Sequence, residues 1–97
     1  MTEIERLQKT VLDVHGYDGI HIRTVHVDEV FEGRPLWAGD VEEFLIIDHP
    51  SAVRAYAWSY KDEASETKSV AVLGVPPIQT PVDAVRAYVA LQFEKDR

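Results

Sequence analysis

His26 and Asp28 stand two residues apart in the run "RTVHVDEVF". In an extended strand, residues at this spacing project from one face. A carboxylate beside an imidazole can orient the ring and hold its proton, which is the arrangement of a general acid–base pair. Asp40 and Glu42 fall on the next segment, where an antiparallel return sets them across from the pair. The plain alternative is a solvated sheet face, because a chain with four histidines and seventeen acidic residues juxtaposes some of them without purpose.

A second group suits binding rather than reaction. Arg54, Tyr56, Trp58 and Tyr60 alternate along "RAYAWSY", so a strand there carries all four on one side and Val53, Ala55, Ala57 and Ser59 on the other. The rings offer flat apolar area, Arg54 offers a charge for an anionic group, and Trp37 on the neighbouring strand can join them.

Other chemistries have less support. His15, His21, His26 and His49 follow no metal-ligand spacing, although two histidines and a carboxylate could converge from separate strands; no metal or cofactor is expected. His49, just before Pro50, reads as a turn residue. The five glycines are isolated, so there is no phosphate-cradling loop, and Ser51, Ser59, Ser65 and Ser69 lack a nucleophile elbow or an adjacent base. With no cysteine there is no disulfide, thiolate nucleophile or thiolate ligand, and a reducing compartment fits best.

The chain of 97 residues has the length of one domain, 1–97, able to bury about 60% of its unfolded surface around a single core. Its net charge of −7, with scattered basic residues, repels a nucleic-acid backbone. The amino-terminal residues "MTEIERLQKTVLDV" break every apolar run with charge, so neither a signal peptide nor a membrane span is expected, and the cytoplasm is the expected location.

These side chains need elements to position them. Ile4, Leu7, Val11 and Val14 recur at helical spacing, Thr2 and Glu5 form a capping-box pair and Gly16 supplies a left-handed end, giving a helix over 2–15. Ile20 to Phe31 alternates as a strand, with a phase slip that places a bulge near Arg23-Thr24. A second strand runs from about Leu36 to Ile47, and its end "FLII" reads as covered on both faces. Asp48-His49-Pro50-Ser51 turns the chain into a third strand, Lys61 to Lys68 reads as an exposed mobile loop, and "SVAVLGV" is a fourth strand. "PPIQTP" is a stiff connection in which the bond before either Pro76 or Pro77 could be cis. Thr80 then caps a helix with Pro81 at its first position and Val82, Val85, Val89 and Phe93 as its stripe.

The pentapeptide "AVRAY" occurs twice, at 52–56 and 84–88, and its surroundings assign the first copy to strand and the second to helix, with Tyr88 off the main stripe. The expected class is α+β: a four-stranded antiparallel β-meander with an amino-terminal and a carboxy-terminal helix packed on one face, in the order α-β-β-β-β-α. Small residues admit a helix closely, so the alanine side of the third strand is expected to receive both helices. The aromatic side is then left as an apolar patch for a second copy or a ligand, unless the rings form the core.

"DHPSAVRAYAW" and "VAVLGVPPIQTPVDAVRAY" together resemble a family of small bacterial proteins that combine a His-Pro-x-Ala turn, a Tyr-Ala-Trp strand and a Pro-Pro segment before an Ala-Val-Arg-Ala helix. The resemblance extends over most of the chain after residue 20, is of the type carried on mobile gene cassettes such as integron cassettes, and implies a fold without an activity. Three readings of function follow. The first is a non-enzymatic binding or assembly module, a homo-oligomer and by preference a dimer, using Arg54, Tyr56, Trp58, Tyr60 and Trp37 as subunit contact or small-ligand pocket. The second is a small isomerase, lyase or hydrolase with His26 and Asp28 as acid and base. The third is an acidic partner for a basic protein, in the manner of an antitoxin or immunity protein.

Overall fold

Helix α1, Glu3–His15, starts where the capping box places it: the Thr2 hydroxyl accepts the Glu5 N–H at 3.1 Å and donates to the Glu5 carboxylate at 3.1 Å. It stops at Gly16, whose φ of 78° lies in the left-handed region that a side chain would strain, and whose N–H reaches the Leu12 carbonyl at 2.8 Å. The computed structural model describes residues 2–31, 33–62 and 64–95, and of 31, 34–36 and 92–95 only the backbone is described. The expected stripe residue Phe93 therefore lies outside the described side chains.

Four strands follow: β1 Gly19–Phe31, β2 Arg34–Ile46, β3 Arg54–Lys61 and β4 Thr67–Leu73, and the chain ends on α2, Pro81–Lys95. They form one antiparallel sheet in the order β1-β2-β3-β4, so the α+β meander with a helix at each end is the architecture found. The bulge in β1 falls at Ile22, one residue before the expected place, where the pairing steps from His21–Phe44 to Arg23–Glu43. The first "AVRAY" enters β3 and the second lies in α2, so identical residues take up opposite structures under the control of what precedes them. In α2, Thr80 Oγ1 accepts the Asp83 N–H and Asp83 accepts the Gln79 N–H, both at 3.1 Å.

The helices do not share a face. Leu7 and Val11 of α1 pack on Phe44, Ile46, Ala55 and Ala57, whereas Ala84 and Val85 of α2 pack on the other side among Val27, Val41, Tyr56, Trp58 and Val70. The reason lies in β3. Both of its sides are apolar, and a single helical layer would leave one of them in water, at about 1.5–3 kcal/mol for each large side chain left exposed. α1 takes the alanine side, where small residues let it sit close, and α2 roofs the aromatic side.

Several local expectations shift as well. Val14 and Ile47 are exposed, so the α1 stripe ends at Val11 and the "FLII" end is covered on one face only beyond Phe44 and Ile46. Tyr88 belongs to the stripe, packing edge-on against Trp58. The loop expected from Lys61 to Lys68 is shorter than that, because Lys61 ends β3 and Thr67 and Lys68 open β4, and the turn between them is held by Asp62, whose carboxylate accepts the N–H groups of Ala64 and Glu66 at 2.9 Å each. At the turn into β3, His49 Nδ1 accepts the Ser51 and Ala52 N–H groups at 3.0 and 2.7 Å, and the Pro76-Pro77 bond is cis. Among the described residues no helix is long and apolar enough to cross a membrane.

Candidate functional site

β2 and β3 are paired only from Glu42–Ala57 to Leu45–Arg54, and beyond this short ladder the two strands diverge. The gap is a cleft of about 680 Å³. α1 contributes Glu3 and Arg6 to its wall, β2 Trp37 and Ala38, β3 Ser59, Tyr60 and Lys61, and β4 Thr67.

One wall is polar and ordered. Ser59, on the α1 side of β3, donates its hydroxyl to Glu3 at 2.6 Å and accepts from Arg6 at 2.6 Å, while the same Arg6 nitrogen reaches the Glu3 carboxylate at 2.5 Å. The Ser59 hydrogen bond holds the Glu3 carboxyl below its ordinary value, partial burial opposes this, and Arg6 adds to the lowering. Lys61 stands apart from this triangle. Among the described residues its ammonium meets only the Thr67 hydroxyl, at 3.4 Å.

The other wall is aromatic. Trp37 lies 5.9 Å from Trp58 between ring centroids, Trp58 lies 5.8 Å from Tyr88, and Tyr88 lies 6.2 Å from Tyr60, with the two phenol oxygens 3.3 Å apart. Burial, joined by the Tyr60 hydrogen bond and charge, pushes the Tyr88 phenol up to about 12. Trp37 folds back over Gly39, where an added Cβ would stand 2.8 Å from its ring, so glycine makes room for the tryptophan here.

The expected aromatic ladder is thus divided. Tyr56 and Trp58 are each 2% exposed beneath α2, and the Tyr56 hydroxyl donates to the Gln79 carbonyl at 3.1 Å. They are core, and the reading of an uncovered ladder as subunit contact is corrected for both. Only Trp37 and Tyr60, half-buried at the open end, reach the cleft. Arg54 is also committed elsewhere, with its Nε 3.2 Å from Glu43.

His26, Asp28 and Asp40 do come together. The ring Nδ1 is 3.1 Å from Asp40, directly opposite on β2, and Nε2 is 3.4 Å from Asp28. The imidazole therefore lies between two carboxylates, one at each nitrogen. The Asp40 hydrogen bond raises its pKa above the ordinary 6.5, slight desolvation opposes, and the charges of Asp28 and Asp40 add to the rise. All three side chains are 60–68% exposed on an open sheet face and stand outside the cleft.

Two buried acids sit next to this group. Glu42 accepts from His21 at 2.8 Å and from Thr24, and Glu43, on the opposite side of β2, accepts from Arg23 at 3.0 Å besides Arg54. Both side chains are 7% exposed. Sequence reasoning placed Glu42 near His26 and passed over Glu43, Arg23 and the Glu3–Arg6–Ser59 triangle. Glu3 and Arg6 are visible as a helical i,i+3 pair, but Ser59 joins them only through the fold.

Among the described residues no group of three or more His, Asp or Glu side chains is arranged to hold a metal ion. Comparison with family models, curated proteins and solved structures returns no match to this chain.

Proposed function

We propose that this chain is a non-enzymatic binding module that seats a small flat organic anion in the cleft between β2 and β3. The observation that supports this reading is the pairing of an aromatic wall, Trp37 and Tyr60, with a cationic one, where Arg6 is neutralised by Glu3 and the Lys61 ammonium meets no carboxylate among the described residues. The cleft volume falls within the roughly 300–1,000 Å³ usual for small-molecule sites. Arg54, the cation expected for this role, is replaced in it by Lys61.

The test is a titration with 4-hydroxybenzoate and, separately, with its neutral methyl ester, followed by amide NMR shifts and tryptophan fluorescence. Saturable shifts at residues 37–38 and 59–61 are expected with the acid, weakened about tenfold in Lys61→Ala or with the ester. Absence of any shift there at millimolar acid removes the proposal.

A second reading keeps His26 as an acid–base group oriented by Asp28 and Asp40, and the imidazole held between two carboxylates favours it. The open face that carries it gives a substrate no enclosing wall, which places this reading second.

A further inference from the structure

We propose that two copies of this chain pair through the free edge of β1, antiparallel about a two-fold axis at His26, to form a continuous eight-stranded sheet.

β1 is an outer strand of 13 residues, bonded to β2 alone among the described strands. Long open edges are the parts of a sheet that most readily recruit another strand. The opposite edge, β4, is shorter by nearly half and lies against α1, whose His15 ring bonds the Ala71 carbonyl at 2.8 Å. From Arg23 to Glu29 the pairing of β1 with β2 is one-to-one, so this part of the edge is regular.

That regular segment is complementary to itself. Antiparallel pairing centred on His26 sets Val25 opposite Val27 of the second copy, Thr24 opposite Asp28 and Arg23 opposite Glu29, each pair on a common face and each occurring twice. Centring on Val25 would set Arg23 against Val27, and centring on Val27 would set Val25 against Glu29, so the neighbouring registers lose the charge match. The two imidazoles at the axis bring four carboxylates with them, because each ring already lies between Asp28 and Asp40.

The charges on the α2 side strengthen the match. Each chain carries a run Arg54–Glu43–Arg23, with Arg23 61% exposed, and separately a pair Arg86–Glu29 at 2.9 Å. Edge pairing joins the first run of one copy to the pair of the other, giving Arg54–Glu43–Arg23–Glu29–Arg86 with strictly alternating sign. Ile22 and Val30, both exposed large apolar residues, come beside one another at each end of the segment. The seven regular residues of this edge span about 23 Å, so the area buried lies at the low end for specific pairs, below about 1,200 Å² in all, the class of weak and reversible complexes.

The chain has no cysteine, which gives a direct test. Directly opposed residues on paired strands hold their Cβ atoms about 4.5–5.5 Å apart, close to disulfide reach. His26→Cys should form a covalent dimer under mild oxidation at micromolar protein, whereas Val53→Cys, exposed and separated from the Arg23–Glu29 edge by β2, should stay monomeric. Solution mass across the micromolar range is the second measurement. Arg23→Glu and Glu29→Arg, each folded by circular dichroism, should each weaken association at least tenfold, and an equimolar mixture of the two should recover it, because opposite charges then meet across the axis. A wild-type chain that stays monomeric to near-millimolar concentration overturns the proposal. So does a dimer in which His26→Cys crosslinks no faster than Val53→Cys.

Discussion

Trp58→Ala separates a core role from a surface one. The ring is 2% exposed, touches Trp37 and Tyr88 at centroid distances of 5.9 and 5.8 Å, and lies under Ala84 and Val85 of α2. Truncating a buried tryptophan to alanine costs roughly 3–5 kcal/mol, of which two aromatic contacts account for about 1–2. A domain of this length holds on the order of 5–15 kcal/mol in total, so about a third to a half of the stability is at stake. With a urea dependence of about 1.5 kcal/mol per molar, the denaturation midpoint should fall by roughly 2–3 M, and the melting temperature by about 15–30 °C. Far-ultraviolet circular dichroism is the right probe, since the substitution removes one of the two tryptophans that fluorescence would follow. Trp58→Phe, which keeps a flat ring, should recover more than half of the loss. A loss below about 1 kcal/mol for Trp58→Ala, the value for an exposed ring, would refute the placement of Trp58 beneath α2.

Two further predictions concern histidines. Because the pKa of His26 is raised above 6.5, the native state holds that proton more tightly than the unfolded chain. Its contribution to stability is therefore complete below pH 6.5 and is lost as pH rises through the native value. An NMR titration should put the midpoint of His26 above 6.5, with Asp40→Asn lowering it more than Asp28→Asn does; a wild-type midpoint at or below 6.5 contradicts the clamp. For His49, whose Nδ1 accepts two backbone N–H groups, His49→Ala should lower stability by about 1–2 kcal/mol, while His49→Asn, which keeps a short acceptor, should retain most of it. Equal loss in the two variants would mean that the packing of the ring against Tyr17, tilted by 55° with centroids 4.5 Å apart, rather than its acceptor nitrogen, supports the turn.

The parts of this fold that were legible in the sequence are those with local causes. Thr2 with Glu5 and Thr80 with Asp83 mark helix starts through bonds made within one turn, and the slip of parity between Ile22 and Val25 marks a bulge, because strand periodicity leaves no other way to absorb an extra residue. The contact of His26 with Asp28 and Asp40 was legible for the same reason, as strand spacing and the antiparallel return both follow from period two. The placement of the helices was not. Alternation in β3 states that one side is small and the other aromatic, but both are apolar, and nothing local to β3 says which helix packs on which side. The cleft escaped notice for a related reason: it exists because the β2–β3 ladder stops after Glu42–Ala57, and hydrophobic patterning carries no sign of where two strands part.

Glu42 and Glu43 are neighbours in sequence and face opposite sides of the sheet, each closed in by its own partners. Together they act as index pins for the meander. Shifting β2 by one residue along β1 would turn each carboxylate into the surroundings of the other and lift Phe44 off α1; shifting it by two would keep the faces but carry Glu43 about 7 Å from Arg23. Either misalignment strands a desolvated acid without its donors, a penalty of about 1–3 kcal/mol or more for a charged group. Since Glu43 is held from β1 and β3 at once, one side chain sets the alignment of three strands, and the long β1–β2 hairpin cannot slide even where its outer half has no third strand to grip.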